Sequence, residues 1–106
     1  MKKKQLIIIA KGMGYEVCRT NVDKVISLWN NAVWVKTKSG MISYNPLKNN
    51  DQMVEIILKH QIDISFHADF NDVWTRPANV QHWFRAETIE EAVALAGLAS
   101  IEEENE

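Results

Sequence analysis

The strongest constraint on this chain is a double switch of hydrophobic period around Pro46. Up to Tyr44 apolar and polar residues alternate. Beyond Asn45-Pro46, Met53, Ile56, Ile57 and His60 recur at a spacing of three and four, with Val54 and Leu58 widening the stripe. From Ile62 the alternation returns, with Ile62, Ile64, Phe66 and Ala68 set against Asp63, Ser65, His67 and Asp69. Period two is the signature of a half-buried strand and period 3.6 that of a helix. Pro46 has no N–H to give a ladder and ends the first run. Asn49, with Gln52 three residues on, has the capping-box pattern, and Asp51 suits the positive end of a helix. Residues 50–61 therefore read as an amphipathic helix that forms the hinge between two β units.

The first β unit is a hairpin. Val33 to Lys38 alternates, with Val33 and Val35 on one side and Trp34, Lys36 and Lys38 on the other. Ser39-Gly40 is a two-residue turn signal, and Met41 to Tyr44 is the returning strand. In the second unit Asn71-Asp72 turns the chain after the strand that starts at Ile62. Val73 to Arg76 runs back as far as Pro77, and Ala78-Asn79 turns it again. Val80, His82, Phe84 and Ala86 then alternate with Gln81, Trp83 and Arg85. Connections this short make three consecutive antiparallel strands. Thr88, with Glu91, opens a last helix that runs to about Ile101. Being Ala-rich and apolar nearly all round, it is expected to lie flat and close on the sheet. At the other end, Leu6 to Ala10 reads equally as a β-branched strand or as a helix capped by Gly12, with Lys11 in its last turn. Gly12-Met13-Gly14 is a turn in either case, and Tyr15 to Leu28 shows no sustained period.

A chain of 106 residues, 46% apolar and 25% charged, has the size and composition of one globular domain. We place that domain at residues 1–101 and an acidic tail at 102–106. No apolar run approaches the roughly 20 residues that span a bilayer. Leu6 to Ala10, after Lys2-Lys3-Lys4, is too short for a signal sequence, so a cytoplasmic protein with no membrane partner is expected. The single Cys18 excludes an internal disulfide framework. The net charge of −2 hides an asymmetry, because residues 87–106 carry seven Glu and no Lys or Arg while residues 1–86 sum to +5. A solvated acidic helix end accounts for this, as would an acidic flank for a basic partner or a basic body for nucleic acid.

Three short motifs, Met13-Gly14-Tyr15, Tyr44-Asn45-Pro46 and the run EEAVALAGLA over residues 90–99, give the chain its resemblance to a known family. It is similar to the ABA-sandwich domain family of small phage and prophage proteins, and the likeness covers most of the chain. The resemblance implies a helix over residues 4–11 and an α+β fold in the order α-β-β-α-β-β-β-α. It also implies one antiparallel sheet of about five strands with helices on both faces, and a phage or prophage origin in the cytoplasm of a bacterial host. It implies no enzymatic activity.

The residues themselves offer little chemistry. Cys18, His60, His67 and His82 lack any spacing that places two ligands on one metal ion, and His60 and His82 read as core or border histidines, so no metal or cofactor is expected. Asp63, His67 and Asp69 share a strand face, with Ser65 beside them, but Ser65 is not at a nucleophile elbow, and an exposed polar face explains all four. Gly12-x-Gly14 continues into neither a dinucleotide fingerprint nor a P-loop. The remaining cluster is aromatic and basic. Trp74, Arg76, Trp83 and Arg85 fall on one sheet face, opposite Val80, His82 and Phe84, and Trp34 and Lys36 share a face of the earlier hairpin. Under a second helical layer such tryptophans are simply core. Left open, they suit a protein partner, with single-stranded nucleic acid as the alternative. The function expected is therefore that of a non-enzymatic phage or prophage accessory protein binding a host or phage protein. Self-pairing through an edge strand, most simply as a symmetric homodimer, is a further expectation.

Overall fold

The computed structural model describes residues 1–18, 33–67 and 71–105. It divides into two compact units, Met1–Asn45 and Pro46–Glu106, and the division falls inside the Tyr44-Asn45-Pro46 hinge. The fold is α+β, as expected, but the single five-stranded sheet is not. The strands form two three-stranded antiparallel sheets, one in each unit. β2 and β3, and β4 and β5, follow one another closely in the chain, whereas the hinge inserts a whole helix between β3 and β4, so these ladders close locally, where the entropic cost of bringing strands together is least.

The first unit holds α1 (Lys3–Gly12), β1 (Glu16–Val17), β2 (Trp34–Thr37) and β3 (Gly40–Ser43). β1 falls in the stretch without a hydrophobic period, and the rest of that stretch, residues 19–32, lies outside the described residues. The ambiguous opening run is a helix, and it buries Leu6, Ile9 and Ala10. Its stop is Gly14 (φ +90°) and not Gly12, which is the last helical residue. The Tyr15 N–H reaches the Ala10 carbonyl and the Gly14 N–H that of Lys11, both at 3.0 Å. This is the Schellman pattern, with glycine in the left-handed position. It gives Met13-Gly14-Tyr15 a purely structural cause. Tyr15 in turn packs on the buried Tyr44 with ring centroids 5.3 Å apart. In the hairpin Thr37 pairs with Gly40, so the turn is Lys38-Ser39, one residue earlier than expected. Gly40 begins the return strand at φ +116°, and the Thr37 hydroxyl donates to its carbonyl at 2.8 Å.

The second unit holds α2 (Asn50–His60), β4 (Asp63–His67), β5 (Asp72–Arg76), β6 (Phe84–Ala86) and α3 (Ile89–Glu104). Both expected N-caps are present. Asn49 accepts the Gln52 N–H at 3.1 Å and Thr88 accepts that of Glu91 at 3.2 Å. β6 is shorter than the alternation from Val80 suggested, because the strand begins only at Phe84. α3 continues past Ile101 through Glu104. It packs against β5 and β6 and also against α2, which explains why it is apolar nearly all round. Polar ties fix both contacts. The buried Thr75 hydroxyl donates to the Ala92 carbonyl at 2.6 Å, and His60 Nδ1 lies 2.8 Å from Ser100 Oγ. Asn79 donates to the Ser100 carbonyl at 3.0 Å. His60 is thus the core histidine its place on the stripe implied.

Gly97 sets the closeness of α2 and α3. A Cβ there would stand 2.6 Å from Cγ2 of Ile56, a side chain with no exposed surface and no room to move. Overpacking of this kind costs roughly 1–3 kcal/mol, against about 1 kcal/mol gained in helix propensity. Gly97→Ala is therefore expected to lower stability by about 1 kcal/mol and the melting temperature by several degrees, read by calorimetry.

Burial lowers the His60 pKa below 6.5. Glu104, 3.8 Å from Nδ1, opposes the shift and Lys59 adds to it. In the window between the lowered value and 6.5 the unfolded chain binds more protons than the folded one. Stability is then complete above the unfolded pKa and falls as the pH drops through that window. Melting curves of wild type and His60→Gln between neutral and mildly acidic pH should show this slope flattened in the variant.

Candidate functional site

The register of the second sheet decides what each face carries. Asp63 pairs with Arg76, Ser65 with Trp74, His67 with Asp72, and Trp74 with Arg85. Directly opposed residues share a face, so Asp63, Ser65, His67, Asp72, Trp74, Arg76 and Arg85 lie on one side. Ile64, Phe66, Val73, Thr75, Phe84 and Ala86 lie on the other, the side of the Thr75–Ala92 tie to α3. Trp83 immediately precedes β6 and joins the first face. The guanidinium of Arg76 lies over its ring at 4.7 Å, and that of Arg85 lies 5.8 Å from the Trp74 ring.

The structure therefore brings Trp74, Arg76, Trp83 and Arg85 together as expected. Trp34 and Lys36 stand in β2 of the other sheet, where Trp34 is half-buried and Lys36 pairs with Glu16 at 3.5 Å. Trp83 is 38% exposed, so part of the cluster is surface. Between the rings runs a shallow open cleft of about 310 Å³ lined by Ser65, His67, Trp74 and Trp83. His67 tilts against Trp74 at 5.1 Å and lies 3.3 Å from Ser65 Oγ. Alternation marks Ser65 and His67 only as exposed polar residues of a strand face. Cross-strand register was the signal that places them in the cleft, and alternation alone does not supply it.

Each arginine already has a carboxylate. Arg85 Nε lies 2.6 Å from Oδ2 of the largely buried Asp72, a charge contact more than a well-angled hydrogen bond. Arg76 meets the exposed Asp63 at 3.5 Å. Two guanidiniums and two carboxylates leave the face near neutral. With Asp63 held by Arg76, that carboxylate does not orient His67, and Asp69 lies outside the described residues. Nε1 of Trp74 is buried without an acceptor among the described residues. Among those residues no three His, Cys, Asp or Glu side chains converge as a metal site, and no helix is long and apolar enough to cross a membrane. Comparison with protein-family models, with curated proteins and with solved structures gives no match.

The division into units sharpens the charge asymmetry. Met1–Asn45 carries eight Lys or Arg against two Asp or Glu, a net +6, whereas Pro46–Glu106 carries four against twelve, a net −8. The aromatic face belongs to the acidic unit.

The two arginines differ in what they leave behind. Arg85→Met strands a carboxylate that is 9% exposed and is expected to lower stability by roughly 1–3 kcal/mol. Arg76→Met frees an exposed carboxylate and should cost less than about 1 kcal/mol. Urea denaturation of the two variants side by side checks the order.

Proposed function

We propose that this chain is a small, non-enzymatic phage or prophage accessory protein that acts in the host cytoplasm by binding a host or phage protein through the open face of its second sheet. The observation that carries the reading is the stacking of Arg76 on a partly exposed Trp83 beside a second tryptophan–arginine pair. Tryptophan and arginine dominate the energetics of protein interfaces, where rigid rings supply contact area at small entropic cost. The phage origin rests on the sequence resemblance alone.

Charge favours this reading over the nucleic-acid alternative. Affinity for a phosphate backbone comes from cations that displace condensed counterions. Here both arginines are matched by carboxylates, and the unit that carries them is net −8. A stacked base would gain from the rings but would bring its phosphates into a repulsive field.

Immobilised wild type and Trp83→Ala, exposed in parallel to bacterial lysate, test the reading. Trp83 lies outside the strands, so the variant should fold, and a partner held by wild type should be lost from it. A partner held equally by both proteins would move the interface elsewhere. Salt-sensitive quenching of the tryptophans by oligonucleotide would put the nucleic-acid reading in its place.

A further inference from the structure

The apolar face of the second sheet runs past its helical cover at one edge. Val73 of β5 is buried, yet Phe66, its direct partner on β4, is 70% exposed. β4 is the edge strand there, and among the described residues it pairs with β5 alone. We infer that a second copy of the chain completes this edge. The two β4 strands run antiparallel, with Ser65 of each opposite Ser65 of the other. The inference does not rest on the docking reading above, because it concerns the edge of the sheet and not its open face.

The two edges of the sheet are unequally protected. Edge strands are kept from pairing by shortness, by charged side chains such as lysine, or by proline and bulges. β6, at the far edge, has three residues with Arg85 in the middle. β4 has five, Asp63–His67, and none of them is Lys, Arg, Pro or Gly.

The order of residues about Ser65 selects a copy of the same strand. In an antiparallel pair related by a two-fold axis, residues equally far from the centre face one another. Ile64 then meets Phe66 of the second copy, and Asp63 meets its His67. Symmetry makes each contact twice. The first is apolar against apolar on the α3 side and covers the exposed ring. The second sets a carboxylate against an imidazole on the open side, and an imidazole carries an N–H in either tautomer. Other registers match less well. A slip of one residue would set the α3 face of one copy beside the open face of the other. Centring on Ile64 or on Phe66 pairs only residues 63–65 or 65–67 within the strand. With Ser65 at the centre, the row that joins Trp74 to Ser65 continues through Ser65 and Trp74 of the second copy. At a strand spacing of about 4.8 Å, the two Trp74 backbones stand roughly 14 Å apart on one side of the joined sheet.

One strand per copy is a small contact of the weak, reversible class. Sedimentation of the full chain at rising concentration, to about 1 mM, is expected to show a reversible monomer–dimer equilibrium. Phe66→Lys, at an exposed position outside the core, sets an ammonium against each Ile64 and should weaken the dimer roughly tenfold or more. The register is read by cross-linking with oxidised glutathione in a Cys18→Ser background, which removes the native thiol. Directly opposed residues have Cα atoms about 4.5–5.5 Å apart, within disulfide reach, so Ser65→Cys should give a covalent dimer. His67→Cys, exposed on the same strand but opposite Asp63, should not. A chain that stays monomeric throughout would overturn the inference. So would a dimer indifferent to Phe66→Lys, whose contact would lie at another surface. Cross-linking of Ser65→Cys no better than that of His67→Cys would overturn it as well, since chance collision or another register would then be at work.

Discussion

Close packing around α3 is the constraint on which the second unit depends. A helix of alanines and leucines with no polar face needs cover on both sides, and it has the β5–β6 surface on one and α2 on the other. Gly97 admits Ile56 to a distance no Cβ would allow, and Thr75, Ser100 and Asn79 supply hydrogen bonds at the same interfaces. The polar ties do more for register than for net stability, since each such bond contributes only about 1 kcal/mol after its exchange with water. Their effect is to fix which sheet face meets the helix. Once Thr75 is turned toward Ala92, strict alternation forces Trp74, Arg76 and Arg85 to the opposite side.

That opposite side is built to hold its shape. A cation over an exposed ring contributes about 0.5–1 kcal/mol, and an exposed ion pair often less. Neither is large enough to account for the fold. Joined as Asp63–Arg76–Trp83 and Asp72–Arg85–Trp74, however, they restrict rotamers that would otherwise be free. A surface ordered before binding loses less entropy on contact, and this is where such small terms act. The same arrangement pairs each arginine with a carboxylate and leaves the face near neutral.

The local elements were largely legible in the sequence, and their assembly was not. The hinge at Pro46, both asparagine and threonine caps, the hairpin and the grouping of Trp74, Arg76, Trp83 and Arg85 all follow from short-range rules of period, capping and alternation. The number of sheets does not. The switch of period around α2 marked two β units, but nothing in a period says whether two hairpin systems share a ladder. The resemblance to layered phage domains merged them into one. Gly14 in place of Gly12, and Lys38-Ser39 in place of Ser39-Gly40, are shifts of one or two residues. They arise because composition marks a turn region while backbone geometry selects the glycine with positive φ. The cleft was illegible in a different way. Ser65 and His67 approach Trp74 only through cross-strand register, and nothing fixes that register before the turn at Asn71 does.

Charge at the helix ends separates α2 from the other two helices. α2 begins with Asn49 and Asp51 and ends with Lys59 and His60, each of the sign its macrodipole favours. α1 opens on lysines with no acidic residue in its first turn, and α3 closes on Glu102, Glu103 and Glu104 with no basic one in its last. Each misplaced charge costs about 0.3–1 kcal/mol at low ionic strength. Each of these two helices has one favourable end, Lys11 in the last turn of α1 and Thr88 with Glu90 and Glu91 at the start of α3, and burial of Leu6, Ile9 and Ala10 in one case and of an almost wholly apolar surface in the other outweighs the unfavourable end. In the second unit the last turn of α3 therefore carries Glu102, Glu103 and Glu104 with no basic residue of its own to offset them. Those carboxylates are exposed, so water and salt screen their mutual repulsion and the helix tolerates it.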